Sequence, residues 1–125
     1  MFENAEVIHA YTRADALRDG VLIDVSATAR EAGIRYPVAL TAAVWARCVA
    51  VPPGVECQDE AGRLRDVVWM LRVGVQRAGG RVVLFSLHVR NSNRSGTPPL
   101  VRLKAVCDPG DQREPVITVM MPDED

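Results

Sequence analysis

The sequence predicts an α+β protein: an antiparallel sheet with a C-terminal three-stranded meander, packed against a long amphipathic helix and shorter N-terminal helices. Three observations lead there. Leu64, Val67, Val68, Leu71 and Val75 form one continuous apolar stripe at helical spacing. Two later runs, RVVLFSLHVR from Arg81 to Arg90 and LVRLKAVC from Leu100 to Cys107, alternate apolar and polar residues as half-buried strands do. DPGD then makes a turn and PVITVMMP a third strand, so the C-terminal half places helix first and sheet after, which points to α+β.

From the N-terminus, EVIHAY is short and apolar enough for a strand. TRADALRDG is a helical turn or two, in which the Thr12 hydroxyl can accept an orphan amide and Gly20 supplies a left-handed stop. VLIDVS, Val21 to Ser26, is the next strand, and Ser26 then caps the short helix ATAREA, which Gly33 closes. Tyr36-Pro37 interrupts regular structure, because a residue before proline is pushed away from helical angles. Thr41 opens TAAVWARCVAV. Val44, Trp45, Cys48 and Val49 share one face there, so this reads as a core helix ended by Pro52-Pro53. After the polar linker PPGVECQDE, the long helix AGRLRDVVWMLRVGVQRAGG runs to its stop at Gly79-Gly80. The N-terminal strands are expected to extend the sheet, and the Trp45 helix to cover part of the core.

At 125 residues the chain has the length of one ordinary domain, so residues 1–125 are read as a single α+β unit that folds without disulfide or metal. No apolar run approaches the roughly 20 residues that span a bilayer, and MFENAEVIHAYTRAD has neither a basic start nor an apolar core, so a cytoplasmic protein with no membrane partner is expected. Cys48, Cys57 and Cys107 are odd in number and widely spaced, which suggests neither a disulfide framework nor a zinc site.

The formal net charge is -1, yet the charges are sorted: Arg63 to Lys104 holds nine basic residues and one acid, Asp66. Overall neutrality argues against a general nucleic-acid binder, while a folded basic stripe could still attract phosphate or an acidic partner. If the two strands pair antiparallel, outward-facing Arg90 could neighbour Arg102 and Lys104, with Arg94 extending the patch from the NSNRSGTPP loop. A second candidate surface is the far side of the long helix, where Trp69, Met70 and Val73 lie among Arg65 and Arg72. A helix apolar on two sides is either sandwiched within its own domain or covered by a second chain, and a homodimer is one way to cover it.

Recognisable catalytic motifs are absent: there is no glycine-rich phosphate loop, GxGxxG, HExxH, GxSxG or SxxK. His9 and His88 are the two imidazoles available for acid-base work, and His88 shares its strand face with Ser86 and Arg90. Such a row is more often a wet sheet face than an active site. Asp108 and Asp111 bracket the Pro-Gly turn, where carboxylates bond local amides, and DPGDQRE lacks the alternating ligands of a calcium loop. Asp123, Glu124 and Asp125 read as a tail that can fold back as counter-charge. No metal or cofactor is expected.

YTRADALRDGVLIDVSATAREAGIRYPVALTAAVW, GRLRDVVWM and PGDQREPVITVMMPDED resemble a family of small, functionally uncharacterised proteins encoded on bacterial plasmids, integrative conjugative elements and phages. The resemblance covers most of the chain and departs from the family at Arg65, where an aromatic residue is usual. It implies context: accessory proteins of mobile elements often bind a host or element macromolecule, including defence components. The expected function is therefore a non-enzymatic interaction protein whose partner is an acidic protein surface or nucleic acid. The alternative is a small enzyme acting on a nucleotide or nucleic acid, with His88 or His9 as its acid-base group.

Overall fold

The structure, a computed structural model, describes residues 10–125. Ala10 and Tyr11 are irregular, and the rest of the EVIHAY strand expectation lies outside the described residues, as does His9. The elements are α1 (Arg13–Asp19), β1 (Leu22–Asp24), α2 (Ser26–Glu31), β2 (Val38–Thr41), α3 (Ala42–Val44) continuing as a π-helical segment (Trp45–Val49), α4 (Glu60–Ala78), β3 (Val82–His88), β4 (Leu100–Pro109) and β5 (Pro115–Met120). The α+β class holds. One mixed sheet has strand order β1-β2-β5-β4-β3, antiparallel except for the β2–β5 pair.

Local chemistry explains most boundaries. Thr12 and Asp15 form a reciprocal capping box at the start of α1, and Gly20 ends it at φ 79°. Asp59 caps α4 through the amide of Gly62. Ser26 departs from expectation: it lies inside α2 and caps nothing. Its buried hydroxyl instead accepts from the Val38 amide at 3.0 Å and donates to the Asp24 carboxylate, stitching β1 to β2.

The segment after Pro37 also differs from its reading. Val38 to Thr41 is a strand, buried through Leu40 and held between β1 and β5, and it was hidden by its four-residue length and uniform apolarity. The helix that Thr41 caps is α-helical for one turn only. It then widens, with the Ala50 amide donating to the Trp45 carbonyl five residues back.

β3, β4 and β5 form the anticipated meander. Val83, Phe85 and Leu87 stand opposite Ala105, Leu103 and Val101 and point with them into the core. α4 packs on this inner face, over β3, flanked by α2 and the π segment. The contact is close at Gly74, where an added Cβ would lie 3.0 Å from the Phe85 Cβ, so glycine is what permits the approach. Of the apolar stripe, Val67, Val68 and Leu71 are buried, Leu64 is partly buried, and Val75 is 39% exposed because α4 ends over an open cavity.

The final hairpin is longer than the expected DPGD turn. β4 continues to Pro109, which pairs with Pro115, and the turn is Gly110 to Glu114 with the left-handed residue at Arg113, φ 64°. Gly110 serves another purpose, since a Cβ there would meet the Glu114 carboxyl carbon at 2.7 Å. Among the described residues no helix is long and apolar enough to cross a membrane.

Candidate functional site

The register decides the fate of the proposed basic patch. Arg102 pairs with Ser86 and Lys104 with Leu84, whereas Arg90 lies beyond the end of β3 and is not their cross-strand neighbour. Its guanidinium turns into the following loop and donates to the carbonyls of Arg94 and of Gly96, the latter at 2.7 Å. Lys104 Nζ donates to the Glu124 carbonyl at 2.7 Å. Two of the four cations thus hold the protein's own backbone. Arg94 stays exposed on the loop, and Arg102 is exposed on the outer sheet face with no hydrogen-bond or ion-pair partner shown among the described residues.

Around Arg102 the outer face is more apolar than the charge pattern implied. Leu84, diagonal to it across the ladder, is 55% exposed, and Leu100, two residues away on β4, is 62% exposed. Val82 continues the aliphatic row along the free edge of the sheet. Strict alternation placed these side chains outward; what sequence reading passed over was that they form one surface with Arg102.

The terminal acids are mostly structural, over longer range than expected. Asp111 accepts from the amides of Arg13 and Ala14, each at 3.0 Å, so a carboxylate on the last hairpin serves the N-terminus of the first helix. Arg13 completes that joint by donating to Thr118 Oγ1 at 2.7 Å and the Ile117 carbonyl at 3.1 Å. Asp108 pairs with Arg81 at 2.6 Å, and Glu114 accepts from the nearby Gln112 amide. In the tail, the Glu124 carboxylate binds Thr41 Oγ1 and the Met121 amide, while its carbonyl, not its charge, meets Lys104. No cluster of three potential metal ligands occurs among the described residues.

His88 lies exposed on the outer sheet, with Nδ1 2.8 Å from the Pro98 carbonyl. Because a carbonyl only accepts, Nδ1 carries the proton in that contact. Cys48 shares a crevice of about 20 Å³ with His88. It is buried, and burial pushes its thiol pKa up, which works against a thiolate nucleophile.

On the helix face, Trp69 is 52% exposed and Arg72 lies over its ring, 5.2 Å from the centroid. Met70 packs partly against the protein's own core and Val73 is half-buried. Arg65 and Trp69 border a shallow groove of about 310 Å³ against Thr28 and Glu31.

Arg63 was not singled out by sequence, yet it is among the most embedded polar groups, only 5% exposed. Its guanidinium donates to the Val49 carbonyl at 3.0 Å, the Arg90 carbonyl at 2.6 Å, Asn91 Oδ1 at 2.7 Å and Gln58 Oε1 at 3.3 Å. It thereby ties the π segment, the start of α4 and the end of β3 together. The available signal was its position four residues before Val67, on the helix's inward face.

Residues 1–125 match a family of unknown function, DUF6573, and the chain belongs to it. No curated protein and no solved structure matches the chain.

Proposed function

We propose that this family member is a non-enzymatic interaction protein of a mobile genetic element, acting in the bacterial cytoplasm, and that the outer face of its sheet docks an acidic protein surface. The observation that carries the proposal is an exposed Arg102, without a partner among the described residues, set among Leu84 and Leu100. An aliphatic surface around one arginine suits a protein interface, where buried apolar area supplies affinity and arginine forms directional bonds to carboxylates. Nucleic acid fits less well. It is gripped by several cations and stacked on aromatic rings, whereas Arg90 and Lys104 are already engaged and β3 to β5 turn no Phe, Tyr or Trp outward. The resemblance to mobile-element proteins supports a host or element macromolecule, such as a defence component, as the partner class.

The test is site-specific photo-crosslinking in host cells, with the crosslinker at position 84 or 100. The expected result is an adduct with an acidic protein that is lost on Arg102→Glu and weakened by salt. Adducts that persist in Arg102→Glu, or form as well from position 69, would overturn the sheet-face assignment. A second reading, self-association through the helix face, is favoured by the exposed Trp69 under Arg72. Sedimentation of the wild type and Trp69→Ala at several concentrations tests it.

A further inference from the structure

On the opposite face of the sheet, a half-open cavity of about 560 Å³ lies beside the segment that follows α2, at Gly33 and Ile34, and the last turn of α4, at Val75 and Gln76. Its floor is the inner face of three strands, at Val83, Ala105 and Ile117, and Val75 overhangs it from α4. The chain passes its rim through Gly79 and Gly80, both at positive φ and both facing open space where a side chain would be. The cavity volume falls in the range of ordinary small-ligand sites.

The charge on its wall has one sign. Arg35, Arg72 and Arg81 line the cavity, and no carboxylate does among the described residues. Asp108 neutralises Arg81 from outside, and the carbonyl end of α4 contributes roughly half a negative charge. Among the described residues, three guanidinium groups against these leave the mouth positive by about one and a half charges. Two of the three are also held before any ligand arrives. Arg72 lies over Trp69, with its Nε 3.6 Å from where a Cβ on Gly33 would sit, and Arg81 is pinned by Asp108 at 2.6 Å. Arg35 is exposed and shown with no partner among the described residues.

We propose that this cavity binds a small amphipathic anion: a compact apolar body seated on Val83, Ala105 and Ile117, with a carboxylate, sulfonate or phosphate head among the three arginines. The site is separate from the outer-face surface, so the two assignments stand or fall independently. Arg72 joins the cavity to the helix surface, because drawing its guanidinium toward a ligand head changes the stacking on Trp69.

The experiment is methyl NMR on the intact protein, following the methyl groups of Val75, Val83, Ala105 and Ile117 during titration with decanoate, decanesulfonate and decyl phosphate. Decyltrimethylammonium and acetate are the controls. Saturable shifts at these methyls with the anionic amphiphiles are expected, with binding roughly three- to tenfold weaker in Arg35→Glu, an exposed substitution that leaves the core untouched. Val75→Phe, which fills the cavity from its roof, is expected to abolish the shifts while the remaining spectrum stays native. Equal binding of decyltrimethylammonium, equal binding of acetate, or affinity unchanged in both variants would overturn the proposal. Differences among the three head groups then identify which anion class the site prefers.

Discussion

Replacing Arg63 with alanine removes a guanidinium that satisfies three parts of the chain at once, and the structure sets the size of the penalty. The Val49 carbonyl is fully buried and cannot turn to water, so it bears the whole cost of an unmet acceptor, about 1–3 kcal/mol. The Arg90 carbonyl is half-buried and bears part of that cost, while the exposed Asn91 amide can bond water and bears little. Adding the lost packing of the alkyl stem gives an expected destabilisation of roughly 3–5 kcal/mol. The assay is urea unfolding followed by tryptophan fluorescence, with the slope checked against wild type. Arg63→Met is the control, since it restores the stem and none of the bonds, and it should recover only about 1 kcal/mol. A loss below about 1 kcal/mol for alanine, or a methionine variant as stable as wild type, would show that the three segments do not depend on this side chain.

Gly74→Ala should lower stability by about 1–3 kcal/mol through the clash with Phe85, outweighing the helix propensity gained; a neutral or stabilising result in thermal melts would contradict the close approach. Asp111→Ala should cost about 1 kcal/mol and speed hydrogen exchange at the amides of Arg13 and Ala14, and unchanged exchange there would remove the inter-element cap. Cys48 has a folded-state pKa raised above its ordinary 9.0 by burial, so the unfolded chain releases its proton first. The stability this contributes is complete below pH 9.0 and declines as the pH rises from there through the folded pKa. Cys48→Ala should flatten that alkaline decline in denaturation curves, and an identical pH profile would count against it.

The C-terminal half was legible because its apolar periods are regular: the α4 stripe repeats at helical spacing from Leu64 to Val75, about three turns, and burial alternates along β3 and from Leu100 to Ala105 of β4. β2 was not legible. It is buried on both faces, so Val38 to Leu40 shows no alternation, and its neighbours are supplied by β1 and by a strand near the other end of the chain. The π segment escaped for a related reason: one added residue in a turn leaves the same apolar residues inward. At the candidate site, pattern reading placed Arg102 and Lys104 outward correctly. It could not show that Lys104 and Arg90 would bond to backbone carbonyls, because those partners, Glu124 and Gly96, are brought within reach by chain reversals. Arg63 was obscured by its type, since arginine on an exposed-looking helix start is ordinarily solvated.

The joint between Asp111 and the start of α1 bears on the order in which the chain can assemble. A ribosome delivers α1, β1 and β2 well before the carboxylate that serves the first and the strand that flanks the last. Until Asp111 has emerged α1 lacks its remote acceptor, and until Pro115 to Met120 has followed β2 lacks its parallel neighbour. The strand that joins the β1–β2 pair to the β3–β4 pair is thus the last one made, so the sheet can be completed only through contacts distant in sequence.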